Sequence, residues 1–131
     1  MTTSTPNLVV TPSAHPLSDS ERAARMVNPA FGRIFTDHMV VIPYRDGKWQ
    51  QGELKAYGPL MLDPSASSLH YGQAIFEGYK AFAQPDGSIK TFRPEQNAER
   101  FNRSAARLAM PAIPVELFLE AGDALIAQDR N

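Results

Sequence analysis

Two Asp-Gly pairs, Asp46-Gly47 and Asp86-Gly87, constrain the fold of this chain more than any other feature. Asp-Gly accepts the positive φ values that a tight reversal between antiparallel strands demands, and each pair sits between apolar or aromatic segments. Met39-Val40-Val41-Ile42 is too short for a helix and rich in β-branched residues, which predicts a strand buried on both faces ahead of the first turn, Arg45-Asp46-Gly47-Lys48. Trp49 onward is expected to return as a strand until Gly58-Pro59 breaks it. In the second reversal Tyr79-Lys80-Ala81-Phe82 goes up, Pro85-Asp86-Gly87-Ser88 turns, and Ile89-Lys90-Thr91-Phe92 comes back. Leu60-Met61-Leu62, closed by Asp63-Pro64-Ser65, predicts one more brief strand.

The pattern changes after Phe92. Pro94 suits a first helical position, and Ala98, Phe101, Ala105 and Leu108 recur at helical spacing until Pro111. Pro114 opens a second helix with Leu117, Phe118, Ala121 and Leu125 as its buried stripe. Strands followed by helices predict an α+β chain, a mostly antiparallel sheet with two C-terminal helices. Residues 1–27 are rich in Ser, Thr and Pro and are expected to form a flexible arm, relieved by a capping-box pattern at Ser18-Asp19-Ser20-Glu21 that starts a short helix through Arg25-Met26.

Composition narrows the function classes. The chain has 131 residues and 43% hydrophobic content, enough for one domain or part of one. Thirteen basic residues against fourteen acidic ones give a formal charge of -1, which argues against a broad nucleic-acid surface. The absence of cysteine removes disulfides, thiolate metal sites and cysteine nucleophiles. No apolar run approaches the ~20 residues of a membrane helix, and no secretory pattern opens the chain, so the expected location is cytoplasmic, with no membrane partner. His15, His38 and His70 lie too far apart in sequence for a recognisable metal motif, and no metal site is expected. His38 follows Asp37 in a strand, so the two point to opposite faces; a strand histidine satisfied by a neighbouring group is the expectation. No P-loop, dinucleotide fingerprint or nucleophile elbow is present.

Two clusters remain. Arg100, Arg103 and Arg107 fall on one side of the first C-terminal helix, but only Arg100, about a quarter turn from Phe101, sits at the border with the apolar face. A border arginine snorkels its stem over the core or binds an anion, and if turned inward it requires a carboxylate or phosphate. The stretch Ser68 to Phe82 predicts a short aromatic-lined helix feeding a strand; Tyr71, Phe76 and Tyr79 are core residues or a pocket rim, and Gly72 and Gly78 permit close backbone approach.

These segments carry a resemblance. Phe31-Gly32 with Phe35-Thr36-Asp37-His38-Met39, Ser67-Ser68-Leu69-His70-Tyr71 running into Phe76-Glu77-Gly78-Tyr79-Lys80-Ala81-Phe82, and Phe92-Arg93-Pro94 with Asn97 through Arg100 together resemble the N-terminal part of a branched-chain amino-acid aminotransferase, of the class IV pyridoxal-phosphate enzymes. The resemblance runs from about Phe31 to the end. It implies that residues 28–131 are an incomplete small N-terminal domain, that Arg100 binds the phosphate of pyridoxal 5′-phosphate, and that Phe31, Tyr71 and Phe76 line an apolar pocket, with Tyr71 reaching the neighbouring subunit of a homodimer. The implied substrates are amino acids and 2-oxo acids, with the amino group of leucine, isoleucine or valine passing to 2-oxoglutarate.

That reaction also needs a lysine joined to the cofactor. Lys48, Lys55, Lys80 and Lys90 do not match the family's lysine motif, so no catalytic residue is assigned and the 131 residues alone are expected to be inactive. The alternative is a stand-alone, non-catalytic module that binds a small ligand or a protein through the same fold, with Arg100 as an anion contact. A third reading is self-association through an uncovered apolar patch.

Overall fold

The computed structural model describes residues 8–130 and is α+β. The chain divides into two compact units, one made of residues 8–59 with 121–130, the other of residues 60–120.

The first unit is built on a three-stranded sheet of β1 (Leu8–Thr11), β5 (Gly52–Ala56) and β2 (His38–Val41), in that order. The central strand β5 pairs antiparallel with β2, from His38 opposite Ala56 to Val41 opposite Glu53. It pairs parallel with β1, from Leu8 opposite Gly52 to Thr11 opposite Lys55. Side chains alternate along β5 as the pleat requires: Gly52 and Leu54 are buried, whereas Glu53 and Lys55 share the other face and their side chains meet at 2.9 Å. Gly52 leaves no room for a side chain, because a Cβ built there would stand 2.4 Å from Leu8 Cδ2 and 2.8 Å from Ile42 Cγ1.

Between β2 and β5 the short strands β3 (Tyr44–Arg45) and β4 (Lys48–Trp49) form the first expected hairpin. Asp46 and Gly47 have φ of 53° and 74°, the positive pair of a type I′ turn. The return is interrupted at Gln50–Gln51 before β5 begins. Strand β2 starts at His38, one residue ahead of the apolar run, and is half-buried after His38 rather than sealed on both faces.

Part of the stretch expected as a flexible arm is regular. Strand β1 and helix α1 (Asp19–Met26) lie within it, while residues 1–7 fall outside the described part. Helix α1 carries the expected capping box: Ser18 Oγ accepts from Glu21 N at 3.3 Å, and Glu21 Oε2 accepts from Ser18 N at 2.9 Å.

In the second unit, Leu60-Met61-Leu62 forms no strand and all three side chains are exposed; Gly58-Pro59 and Asp63-Pro64 break the ladder on either side. A single turn of helix, α2 (Ser67–His70), is followed by irregular chain to Lys80. The second expected hairpin is present, β6 (Ala81–Ala83) against β7 (Ile89–Thr91), with Gly87 at a φ of 78°. Helix α3 (Pro94–Arg107) starts at Pro94 as expected and buries Ala98 and Ala105. It ends in a Schellman arrangement: Met110 N donates to Ala105 O at 2.9 Å and Ala109 N to Ala106 O at 3.3 Å. Asn102 then clamps the descending chain, with Oδ1 accepting from Ile113 N and Nδ2 donating to Ile113 O, both at 2.8 Å. Helix α4 (Val115–Gln128) begins after Pro114, and its Phe118 ring packs near Phe101 and Tyr79, with centroids 5.7 and 5.9 Å apart. The last turns of α4 belong to the first unit.

Candidate functional site

Arg100 lies on α3 of the second unit, three residues after Asn97 and hence on the same helical edge. Its side chain is 59% exposed, so packing does not hold it. Glu77 does. Arg100 Nε donates to Glu77 Oε2 at 2.7 Å and Nη2 to Oε1 at 2.5 Å, a side-on fork. The Glu77 side chain is itself 4% exposed and its carboxylate is anchored twice more, accepting from Asn97 Nδ2 at 3.0 Å and from Gly78 N at 2.8 Å. Asn97 Nδ2 also donates to Gly78 O at 3.0 Å, which ties the glycine backbone to the helix.

Four donors thus converge on one carboxylate. The Arg100 hydrogen bond, foremost, lowers the Glu77 carboxyl to about 2; burial opposes that shift, and Asn97 and the Gly78 N–H reinforce it. Glu77 in turn raises the Arg100 guanidinium above its usual range. The pair is therefore ionised throughout the neutral range. A guanidinium has five N–H donors, and this geometry spends Nε–H and one hydrogen of Nη2, leaving the Nη1 side of the fork to bind an anion.

Arg103 and Arg107 are exposed on the same helix, in keeping with a solvated face. Tyr71 and Phe76, at 87% and 85% exposure, are not core residues within this fold; Phe31, in the first unit, is fully exposed. Gln73, between Tyr71 and Phe76, fixes the irregular segment by donating from Nε2 to Leu108 O at 2.7 Å. The sequence singles out Arg100 and requires an anionic partner if it turns inward, but does not pair it with Glu77. The signal was present: Asn97 and Arg100 stand three residues apart on one helical edge, and Glu77 is the one acid in the aromatic stretch.

His38 is the other notable polar residue, 3% exposed in the first unit. Its Nδ1 meets Asp129 Oδ1 at 2.5 Å, its backbone N donates to Asp129 Oδ2 at 3.0 Å, and Nε2 accepts from Ser13 N at 2.9 Å. A backbone N–H can only donate, so Nε2 carries no proton and Nδ1 carries one. Asp37 faces elsewhere, accepting from Leu17 N and from Arg22 Nη2. A cavity of about 300 Å³ adjoins these groups. Among the described residues, no buried side-chain N or O atom lacks a partner and no group of acidic or histidine side chains could hold a metal. No helix of the described residues is long and apolar enough to cross a membrane.

No family model matches the chain. Among curated proteins it is 59% identical over 97% of its length to a probable branched-chain-amino-acid aminotransferase of Streptomyces coelicolor, of which it spans 35%. It is 50% identical over 93% of its length to a branched-chain-amino-acid aminotransferase of Mycolicibacterium smegmatis, spanning 33% of that protein. A branched-chain-amino-acid transaminase of Bacillus subtilis is 47% identical over 77% of the chain. The chain thus spans about a third of the length of the relatives it matches. With an α+β fold like that of a class IV aminotransferase N-terminal domain, and identity of this order along almost its whole length, the chain belongs to the branched-chain-amino-acid aminotransferases as the counterpart of their N-terminal portion.

Proposed function

We propose that these residues form the phosphate clamp and part of the substrate wall of a pyridoxal 5′-phosphate-dependent transaminase. The whole protein would move the amino group of leucine, isoleucine or valine to 2-oxoglutarate, as a cytoplasmic homodimer. When bound, the cofactor supplies the electron sink that lets an amino group leave one carbon skeleton and join another. The observation that carries this reading is the Arg100 fork, a guanidinium fixed along one edge by Glu77 with further N–H donors on Nη1. That donor set fits a phosphate, which takes planar, paired N–H bonds from arginine.

Residues 28–131 would then be part of the small domain, with β1 completing its sheet beside β5. Phe31, Tyr71 and Phe76 each offer apolar surface to a branched side chain, and Tyr71 serves the neighbouring subunit. Their exposure supports this reading, since aromatic rings left outside the packed core are available to a ligand or to further protein. A nucleophilic amine has to be activated by a lowered pKa, by burial or by a neighbouring charge. None of the four lysines is held in a buried site, Lys48, Lys80 and Lys90 being exposed and Lys55 paired with Glu53 at the surface, so the 131 residues by themselves turn over no leucine. Lysine-bound cofactor absorbance together with leucine turnover by the purified chain would refute this.

The two roles separate by mutation in the protein expressed from the whole reading frame. Arg100→Ala should weaken cofactor retention roughly 10- to 100-fold, the scale of lost charge-assisted hydrogen bonds, with little change in the leucine-to-valine preference. Phe76→Ala should change that preference by about tenfold and leave cofactor retention nearly intact. Equal loss of both properties in both variants would refute the division.

A further inference from the structure

We propose that Glu77 is a positioning residue of the phosphate clamp: it grips Arg100 by Nε and Nη2 and so commits the Nη1 side of the guanidinium to the cofactor phosphate. The inference rests on the phosphate role given to Arg100 above. Three observations carry it. Arg100 is 59% exposed and has a long, rotamer-rich side chain, so without Glu77 nothing in its surroundings would select one orientation. The Glu77 side chain is 4% exposed, held by Gly78 N and Asn97 Nδ2 before Arg100 is counted. The anchor is therefore built into the fold and the arginine is the adjustable partner. Lastly, every contact to the carboxylate comes from a donor, three to Oε1 and one to Oε2. Only an acceptor-only group satisfies that set; an amide in its place turns an NH2 toward one of the donors and opens the fork.

A carboxylate beside a phosphate-binding arginine has two opposing effects. It neutralises part of the positive charge that attracts the anion, and it removes the conformational freedom the arginine would otherwise lose on binding. The second effect is the larger, because the guanidinium sits in solvent, where charge is screened, while its orientation is fixed at both ends of the fork. Loss of Glu77 weakens phosphate binding, whereas dominance by charge would strengthen it.

The test compares pyridoxal 5′-phosphate with pyridoxal, which lacks the phosphate, on the cofactor-depleted protein expressed from the whole reading frame. The readout is the ratio of the two dissociation constants, which a general loss of stability does not move selectively. Glu77→Gln should lower the preference for the phosphorylated form about tenfold, the scale of one charge-assisted hydrogen bond. Asn97→Ala removes one anchor and leaves the fork, and should lower the same preference by about two- to threefold; it carries the test if Glu77→Gln does not fold. Glu77→Gln combined with Arg100→Ala should match Arg100→Ala alone, because Glu77 acts through the arginine. A preference unchanged or raised in both Glu77→Gln and Asn97→Ala overturns the positioning role while leaving Arg100 as the phosphate ligand. A preference unchanged by Arg100→Ala overturns the phosphate role itself, and the positioning role with it.

Discussion

Ala109 shows how a single backbone angle sets the sign of a mutation. It occupies the position after the α3 C-cap Leu108, with a φ of 52°, and its N–H and that of Met110 close the Schellman hydrogen bonds. This left-handed conformation is usually given to glycine, because a Cβ there crowds the following carbonyl at a cost of about 1–2 kcal/mol. Glycine elsewhere in a helix destabilises, but at this position Ala109→Gly relieves more strain than it adds in unfolded-state entropy. The substitution is expected to raise unfolding stability by about 0.5–1 kcal/mol, read from the denaturant midpoint. A lower midpoint would show that Ala109 is not held left-handed in solution. Nothing in the sequence marked this position, since Pro111 was the visible stop signal and α3 ends ahead of it.

At the scale of elements, what was legible followed from residue types with one backbone preference. Asp46-Gly47 admits a type I′ reversal and the hairpin is there; Pro94 and Pro114 mark the starts of α3 and α4, and Ser18 with Glu21 caps α1. What was not legible depended on partners distant in sequence. Leu8-Val9-Val10-Thr11 sits in a Ser, Thr and Pro-rich stretch and becomes a strand because β5 offers it a free edge; Val9 and Val10 remain exposed. Its parallel pairing also breaks the otherwise antiparallel pattern, a choice no local signal records. Leu60-Met61-Leu62 is the reverse case, an apolar run that stays irregular where prolines stand on both sides. The candidate site divides in the same way. Helix geometry isolated Arg100 from Arg103 and Arg107, whereas its carboxylate, 23 residues earlier on irregular chain, became visible only with the fold.

Over the whole molecule, the longest of these dependences is the bond between His38 and Asp129, 91 residues apart, which ties the end of α4 to the first residue of β2 within one unit. Asp129 accepts twice, from the His38 backbone N–H and from Nδ1–H, and the tautomer is fixed because Nε2 must accept from Ser13 N. Asn in place of Asp cannot reproduce this. Its amide has one oxygen and one NH2, so whichever way it turns, a donor of the amide faces a donor of His38. Moving the imidazole proton to Nε2 relieves that clash only by setting Nε2–H against the Ser13 N–H. One buried donor is left unsatisfied in every arrangement, a cost of about 1–3 kcal/mol. Asp129→Asn is therefore expected to destabilise the chain by that amount despite its nearly identical shape, and by more than the exposed control Asp123→Asn, measured in the same denaturant titration. Nitrogen chemical shifts of the His38 ring provide the second readout, with Nδ1 protonated in the wild-type chain and a mixture of tautomers in Asp129→Asn. Equal stability of the two Asn variants, with the ring shifts unchanged, would mean that Asp129 does not fix the His38 tautomer.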